Sequence, residues 1–226
     1  MGIFYPPQAF HRAIRLKDQR HLMAVKRISI FPLSGAVLYP GLQLPLHIFE
    51  PRYRAMVSDA LARDRQIGMI QPQRPDEGAP LFSVGCLGKI GEVEALDDGC
   101  YNIVLEGLSR FRIVSELDVS TPFRQIEGLL IDEPEAEALA PIERAGFERA
   151  ARRFAAAQGY RVDWESVARL DDESLINGVA QIAPFDAAAK QALLEAPDLS
   201  GRCELMVQLM QFFARRDGDE DRATLQ

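Results

Sequence analysis

The chain has 226 residues, 47% of them hydrophobic and 26% charged, with a formal net charge of −7. That is enough apolar material for one sizeable core or two small ones, and the acidic balance argues against a broad nucleic-acid surface, whose affinity comes from clustered cations. No apolar run approaches the roughly 18 residues a membrane span needs, and Cys86, Cys100 and Cys203, an odd set without a CxxC pair, indicate reduced thiols in a cytoplasmic protein.

Residues 1–27 scatter Phe4, Phe10, Ile14 and Leu16 among charges. They lack the unbroken apolar core of a signal peptide and read as an N-terminal extension, with Met23 as an alternative start. The chain's pattern then sharpens. Ile28, Ile30 and Leu33, and after them Leu42, Leu44 and Leu46, predict two strands with one apolar face each, separated by a turn at Pro40-Gly41. Proline gives a ladder no N–H, so Pro32 and Pro45 place these strands at an edge or a break. Pro51 suits a first helical turn, and Glu50 puts a carboxylate near the positive end of the dipole. Tyr53, Met56, Val57, Ala60 and Leu61 then recur at helical spacing.

Further strands are predicted at Gln66 to Ile70, Val84 to Leu96, Tyr101 to Leu105, Phe111 to Leu117 and Phe123 to Ile131, with a proline-rich loop from Gln71 and a hairpin turn at Asp97-Asp98-Gly99. Glycines at 85, 88 and 91 inside strand pattern predict bulges and a curved, partly closed sheet. Residues 132–140 are an acidic connector. Beyond them the period is helical: a stripe of Ile142, Phe147, Ala150, Ala151 and Phe154 ends at Gly159, and Asp171 or Asp172, Asp186 and Ser200 are candidate caps for three more helices. The last helix offers Leu205, Leu209, Phe212 and Phe213, and the charged segment 216–226 reads as a disordered tail. Strands followed by helices predict an α+β chain: a β-rich subdomain at 28–131 and a helical bundle at 141–215.

The run FPLSGAVLYPGLQLPLHIFEPRYRAMV from Phe31 resembles the opening of the Lon protease N-terminal, substrate-binding domain, which also occurs as a stand-alone protein. GLSRFRIVSEL from Gly107 and KQALLEAPDLSGRCELMVQLM from Lys190 are similar to the same family, so the resemblance spans roughly residues 28 to 215. It implies a PUA-like curved sheet or pseudo-barrel followed by helices. It also implies a non-catalytic domain that binds unfolded or misfolded protein segments, or a protease or chaperone partner.

The residues themselves point the same way on chemistry. GCLGKIGE from Gly85 has neither the spacing nor the hydroxyl of a phosphate-binding GxxxxGK[ST] loop. Nothing beside Lys89 or Lys190 looks like a nucleophile elbow, and His47 with Glu50 straddles a strand end and a proline, with no third ligand evident, so His47 reads as structural. No catalytic residue, metal or cofactor is expected. Glu50, Arg52 and Arg54 read as local ion pairs at a helix start, and Arg110 and Arg112 as outward strand positions. A protein that recognises unfolded chains needs exposed apolar surface; Tyr39, Leu46, Phe49, Arg52 and Tyr53 are the candidate contact residues. Two rival functions remain: RNA binding, because PUA-like barrels also occur in RNA-binding proteins, and a small hydrolase.

Overall fold

The computed structural model describes residues 25–76, 78–132 and 138–223, with side chains described as far as Ala214. The N-terminal extension, Met23 included, falls almost wholly outside the described residues, as does most of the 132–140 connector. The β-rich half holds β1 (Val25–Pro32), β2 (Gln43–Ile48), α1 (Pro51–Leu61), β3 (Gln66–Ile70), β4 (Val84–Ala95), β5 (Tyr101–Glu116) and β6 (Gln125–Leu130). The helical half holds α2 (Pro141–Ala157), α3 (Trp164–Val167), α4 (Asp172–Ile182), α5 (Ala187–Glu195) and α6 (Leu199–Ala223). The chain is therefore α+β, a mixed six-stranded sheet followed by helices.

The sheet runs β2-β5-β4-β3-β1-β6, with a further β5–β6 pairing that brings its far edge back onto β5. β5 makes this closure: Tyr101 to Glu106 pair with β2, and Phe111 to Glu116 pair with β6. Sequence pattern splits this strand in two, because Gly107 and Ser109 interrupt the alternation, yet the backbone is continuous where the partner changes. Among the described strand pairings only β1–β3 is parallel. β2 has β5 as its one strand partner, and Pro45 sits there opposite Val104, at the edge that its missing N–H demands. Register shifts at Leu87/Gly88 and Ile90/Val93 give β4 its curvature. A Cβ at Gly85 would lie 2.5 Å from both the Met69 carbonyl oxygen and Phe111 Cζ, so the ring fills the space that a side chain would need.

The sheet encloses Ile28, Ile30, Ile70, Leu87, Phe111 and Ile126. α1 starts with Pro51 at its first turn and buries Tyr53, Met56, Val57 and Ala60 beside Phe31, Ile67 and Met69. The third cluster is helical but reaches back to Val37, Tyr39 and Val84 of the β-rich half.

The helices bear out some sequence expectations and correct others. Asp171 Oδ1 accepts from Ser174 N at 2.8 Å and Asp186 Oδ1 from Ala189 N at 2.8 Å, so both are caps. The last helix is capped by Asp198, which accepts from Gly201 N at 2.7 Å; Ser200 lies inside it. Its buried face is Cys203, Met206 and Met210, at i, i+3 and i+7, which leaves Leu205 and Leu209 at the flanks and Phe212 exposed. Ile142 is exposed, one turn before the α2 stripe dips into the core at Phe147. α3, a single turn capped by Asp163, was hidden by its charged surroundings. The α6 backbone stays helical to Ala223, into the segment whose composition reads as a disordered tail.

Candidate functional site

A buried polar seam fixes the two halves together, and it sets which surfaces remain open. Arg110 is 4% exposed and donates through Nη1 to the carbonyls of Leu194 and Ala196, at 2.9 and 2.6 Å. This overturns its placement as an outward strand position. Burial of a guanidinium requires partners, and the carbonyls at the end of α5 need donors, so each solves the other's problem. Arg202 donates to Leu193 O at 3.0 Å and Asn177 Oδ1 at 2.8 Å, and its guanidinium lies 5.3 Å from the Tyr39 ring centroid. Gln71 Nε2 reaches Gln191 Oε1 at 3.2 Å, and Gln191 Nε2 reaches Val84 O at 2.9 Å. Lys190 Nζ spans Gly35 O and Gln181 O, at 3.2 and 3.1 Å, and burial lowers its pKa.

The five predicted contact residues are not brought together. Tyr39 is completely buried beneath the helical half, and burial holds its phenol well above the ordinary range. Tyr53 is 7% exposed, its ring 4.4 Å from Phe31. Both are core, because the turn after β1 and the inner face of α1 point into packed clusters. Leu46 is half-buried on β2. Arg52 is half-buried, ion-paired with Glu50 at 2.8 Å and 4.7 Å above the Tyr53 ring, which agrees with a local role. Phe49 is 61% exposed and stacks 6.1 Å from His47, whose Nδ1 lies 2.8 Å from Asn102 Oδ1. Leu46 and His47 line a shallow hollow of about 420 Å³ with Val93 and two carboxylates, Glu92 and Glu94.

The larger apolar opening is in the helical half. A groove of about 620 Å³ runs between α2, α3 and α4, floored by Phe147, Phe154 and Leu175. Its lips are Tyr160, Val162, Leu170 and Ile182, all exposed, Ile182 at 80%. Trp164, the chain's single tryptophan, lines it, with the Arg152 guanidinium 4.3 Å above the indole. Sequence reasoning missed these residues. The signal was present: GYRVDWESVARL from Gly159 sets Tyr160, Val162, Trp164, Val167 and Leu170 among charges, more apolar bulk than one short turn can bury.

The α3–α4 wall is held by charge. Arg144 donates to Glu148 at 2.8 Å and to Asp172 at 2.6 Å, and reaches Leu170 O at 3.1 Å. Burial opposes the Arg144 charge, but these two carboxylates outweigh it and raise its pKa. The Ser166 hydroxyl holds Asp163 below the ordinary aspartate value, and the Ser174 N–H does the same for Asp171. Carboxylates depressed on folding stabilise the fold above their unfolded pKa, and that contribution is lost as pH falls through the folded value. The protection of the amides of residues 164–176, taken as the exchange rate relative to the intrinsic rate at each pH, is therefore expected to fall as pH drops below the ordinary aspartate range, before that of β1, whose residues hold no depressed carboxylate. Simultaneous loss of protection in both would contradict the assignment.

Comparison with known proteins places this architecture. A model of the ATP-dependent protease La (LON) substrate-binding domain matches residues 27–211. Lon protease 2 of Sorangium cellulosum is 29% identical over 199 residues, covering 81% of this chain and 24% of that protein. Lon protease of Escherichia coli K12 is 27% identical over 201 residues, with the same coverage of each. The chain thus spans about a quarter of the length of the curated relatives it matches. The Lon N-terminal domain protein from Xanthomonas campestris shares the fold, with TM-score 0.63 at 20% identity over 81% of this chain and 98% of that one. The N-terminal domain of Mycobacterium avium complex Lon protease gives 0.61 at 23%, over 82% and 98%. With most of its length matched by the family's own model, the chain belongs to the LON substrate-binding domain family.

Proposed function

We propose that this chain is a non-catalytic binding module that holds apolar side chains of unfolded protein segments in the groove between α2, α3 and α4. The carrying observation is that opening of about 620 Å³ with Tyr160, Leu170 and Ile182 exposed at its lips. Unfolded chains differ from folded ones in offering unburied aliphatic and aromatic groups, and a concave apolar surface is what binds them. Family membership supports the same direction, since the matched domain is the substrate-binding one. A protease or chaperone partner would receive the segment so held, at a surface distinct from the groove. The β-rich half is read as a PUA-like pseudo-barrel, on the strength of the β5–β6 pairing.

Ile182→Glu tests the site. The residue is 80% exposed, so the fold tolerates the change, while a carboxylate on the lip removes an apolar contact worth about 1.5–3 kcal/mol. Titrating the full chain against labelled, reduced and carboxymethylated lactalbumin, with anisotropy as the readout, is expected to show at least roughly tenfold weaker binding for Ile182→Glu. Phe49→Ser is expected to bind as wild type. The opposite ranking would move the site to the β2 edge.

A further inference from the structure

We propose that residues 1–22 of this same chain occupy the apolar groove in cis, the uncharged head Met1 to Phe10 in the groove and the basic stretch beyond it along the α3–α4 wall. The inference rests on the groove being the binding site argued above, and it adds an intramolecular competitor to it.

Three observations carry it. The first is composition. Residues 1–10 have no charged side chain and include Ile3, Phe4, Tyr5 and Phe10, the residue types that the groove's floor of Phe147, Phe154 and Leu175 accepts. The second is charge. The chain as a whole is acidic, yet residues 11–22 carry Arg12, Arg15, Lys17 and Arg20 against Asp18 alone. The wall from 161 to 173 carries Asp163, Glu165, Asp171, Asp172 and Glu173 against Arg161 and Arg169; with Asp172 already paired to Arg144, the other four acids against two arginines still leave an acidic excess complementary to the basic stretch.

The third is reach. The described fold begins at Val25, and residues 11–24 can extend over roughly 46 Å. A compact body of about 200 residues has a radius of gyration of about 16 Å, hence a width of roughly 42 Å. Half the circumference of such a body is roughly 66 Å, so this length brings the head to the groove over most of the surface, short of the opposite pole. The family match begins at residue 27, so the segment lies outside the matched residues. A tethered segment faces its site at an effective concentration in the millimolar range, enough for weak apolar contacts to occupy it.

Trp164 supplies the readout, being the only tryptophan and part of the groove. Among the described residues every strand pairing and all three core clusters lie at residue 25 or beyond, so a chain starting at Met23 retains the described fold. In the full chain, Trp164 is expected to emit at shorter wavelength and to resist acrylamide quenching at least twofold better than in the chain starting at Met23. A synthetic peptide of residues 1–22 added to the shorter chain should restore the shift. In the full-length background, Phe4→Ser with Phe10→Ser should reproduce the truncation, and either change should tighten lactalbumin binding about tenfold, the factor expected when about one site in ten is open.

Identical emission and quenching in the full and shortened chains, with lactalbumin still shifting Trp164, would overturn this inference and leave the groove's function standing. Protection of Trp164 that grows with protein concentration would also overturn it, because the occupant would then come from a second copy. If lactalbumin fails to move Trp164 in the shorter chain, the groove itself is not the binding site, and both proposals fall.

Discussion

Arg110→Ala is expected to lower the stability of the chain by about 3–5 kcal/mol, since each charged-donor hydrogen bond is worth about 1.5–3 kcal/mol. The guanidinium is 4% exposed and caps the end of α5 through Leu194 O and Ala196 O, with Pro197 O at 3.5 Å from Nη2. Removing it strands those carbonyls in a dry interior, where an unpaired acceptor costs more than the bond gained. It also removes a cation from the negative end of a helix dipole. For a chain of this length a loss of that size lowers Tm by roughly 10 °C. The seam joins the two halves, so the helical half should now melt first: the urea midpoint read by Trp164 should fall below that read by the β-sheet signal in circular dichroism. Arg110→Lys keeps the charge but loses the fork, and should lose about half as much. A variant within 1 kcal/mol of wild type, with coincident midpoints, would mean that the seam is not what holds the halves together.

Gly107→Ala is expected to cost about 3 kcal/mol, the upper part of the range for overpacked sites. A Cβ there would lie 2.7 Å from the Tyr39 carbonyl carbon and nearer still to its oxygen, and both are backbone atoms that cannot rotate away. Gly107 N donates to Leu42 O at 2.8 Å, and Gly41 N donates to Gly107 O at 3.0 Å, so the Tyr39 to Leu42 turn is laid across β5 at the residue where β5 changes partner. Its displacement would carry Tyr39 out from beneath the helical half. Urea unfolding measures the effect; full retention of stability would show that the turn slides freely over β5.

The architecture was legible because its signals are local. Gln66 to Ile70 is a strand in both pattern and structure, and Asp171, Asp186 and Gly159 end or begin helices for stated chemical reasons. Arg110 was not legible: a strand pattern assigns it a face, but only the tertiary approach of α5 decides that this face is buried. Tyr39 and Tyr53 lie in the core for the same reason, since the face on which each aromatic ring falls is decided by what packs against it. The groove was obscured because its lips lie in a charged, short-turn segment that offers no period to count, while Ile182, at the end of α4, falls beyond the face that the core covers.

The most direct test of the groove is photo-cross-linking of an apolar peptide bearing benzoylphenylalanine to the full chain, with adducts mapped by mass spectrometry. The account predicts adducts within 160–170 and 174–184, suppressed by Ile182→Glu. Adducts concentrated on Leu46 to Arg52 or on Glu92 to Glu94 would contradict it and assign recognition to the edge of the sheet.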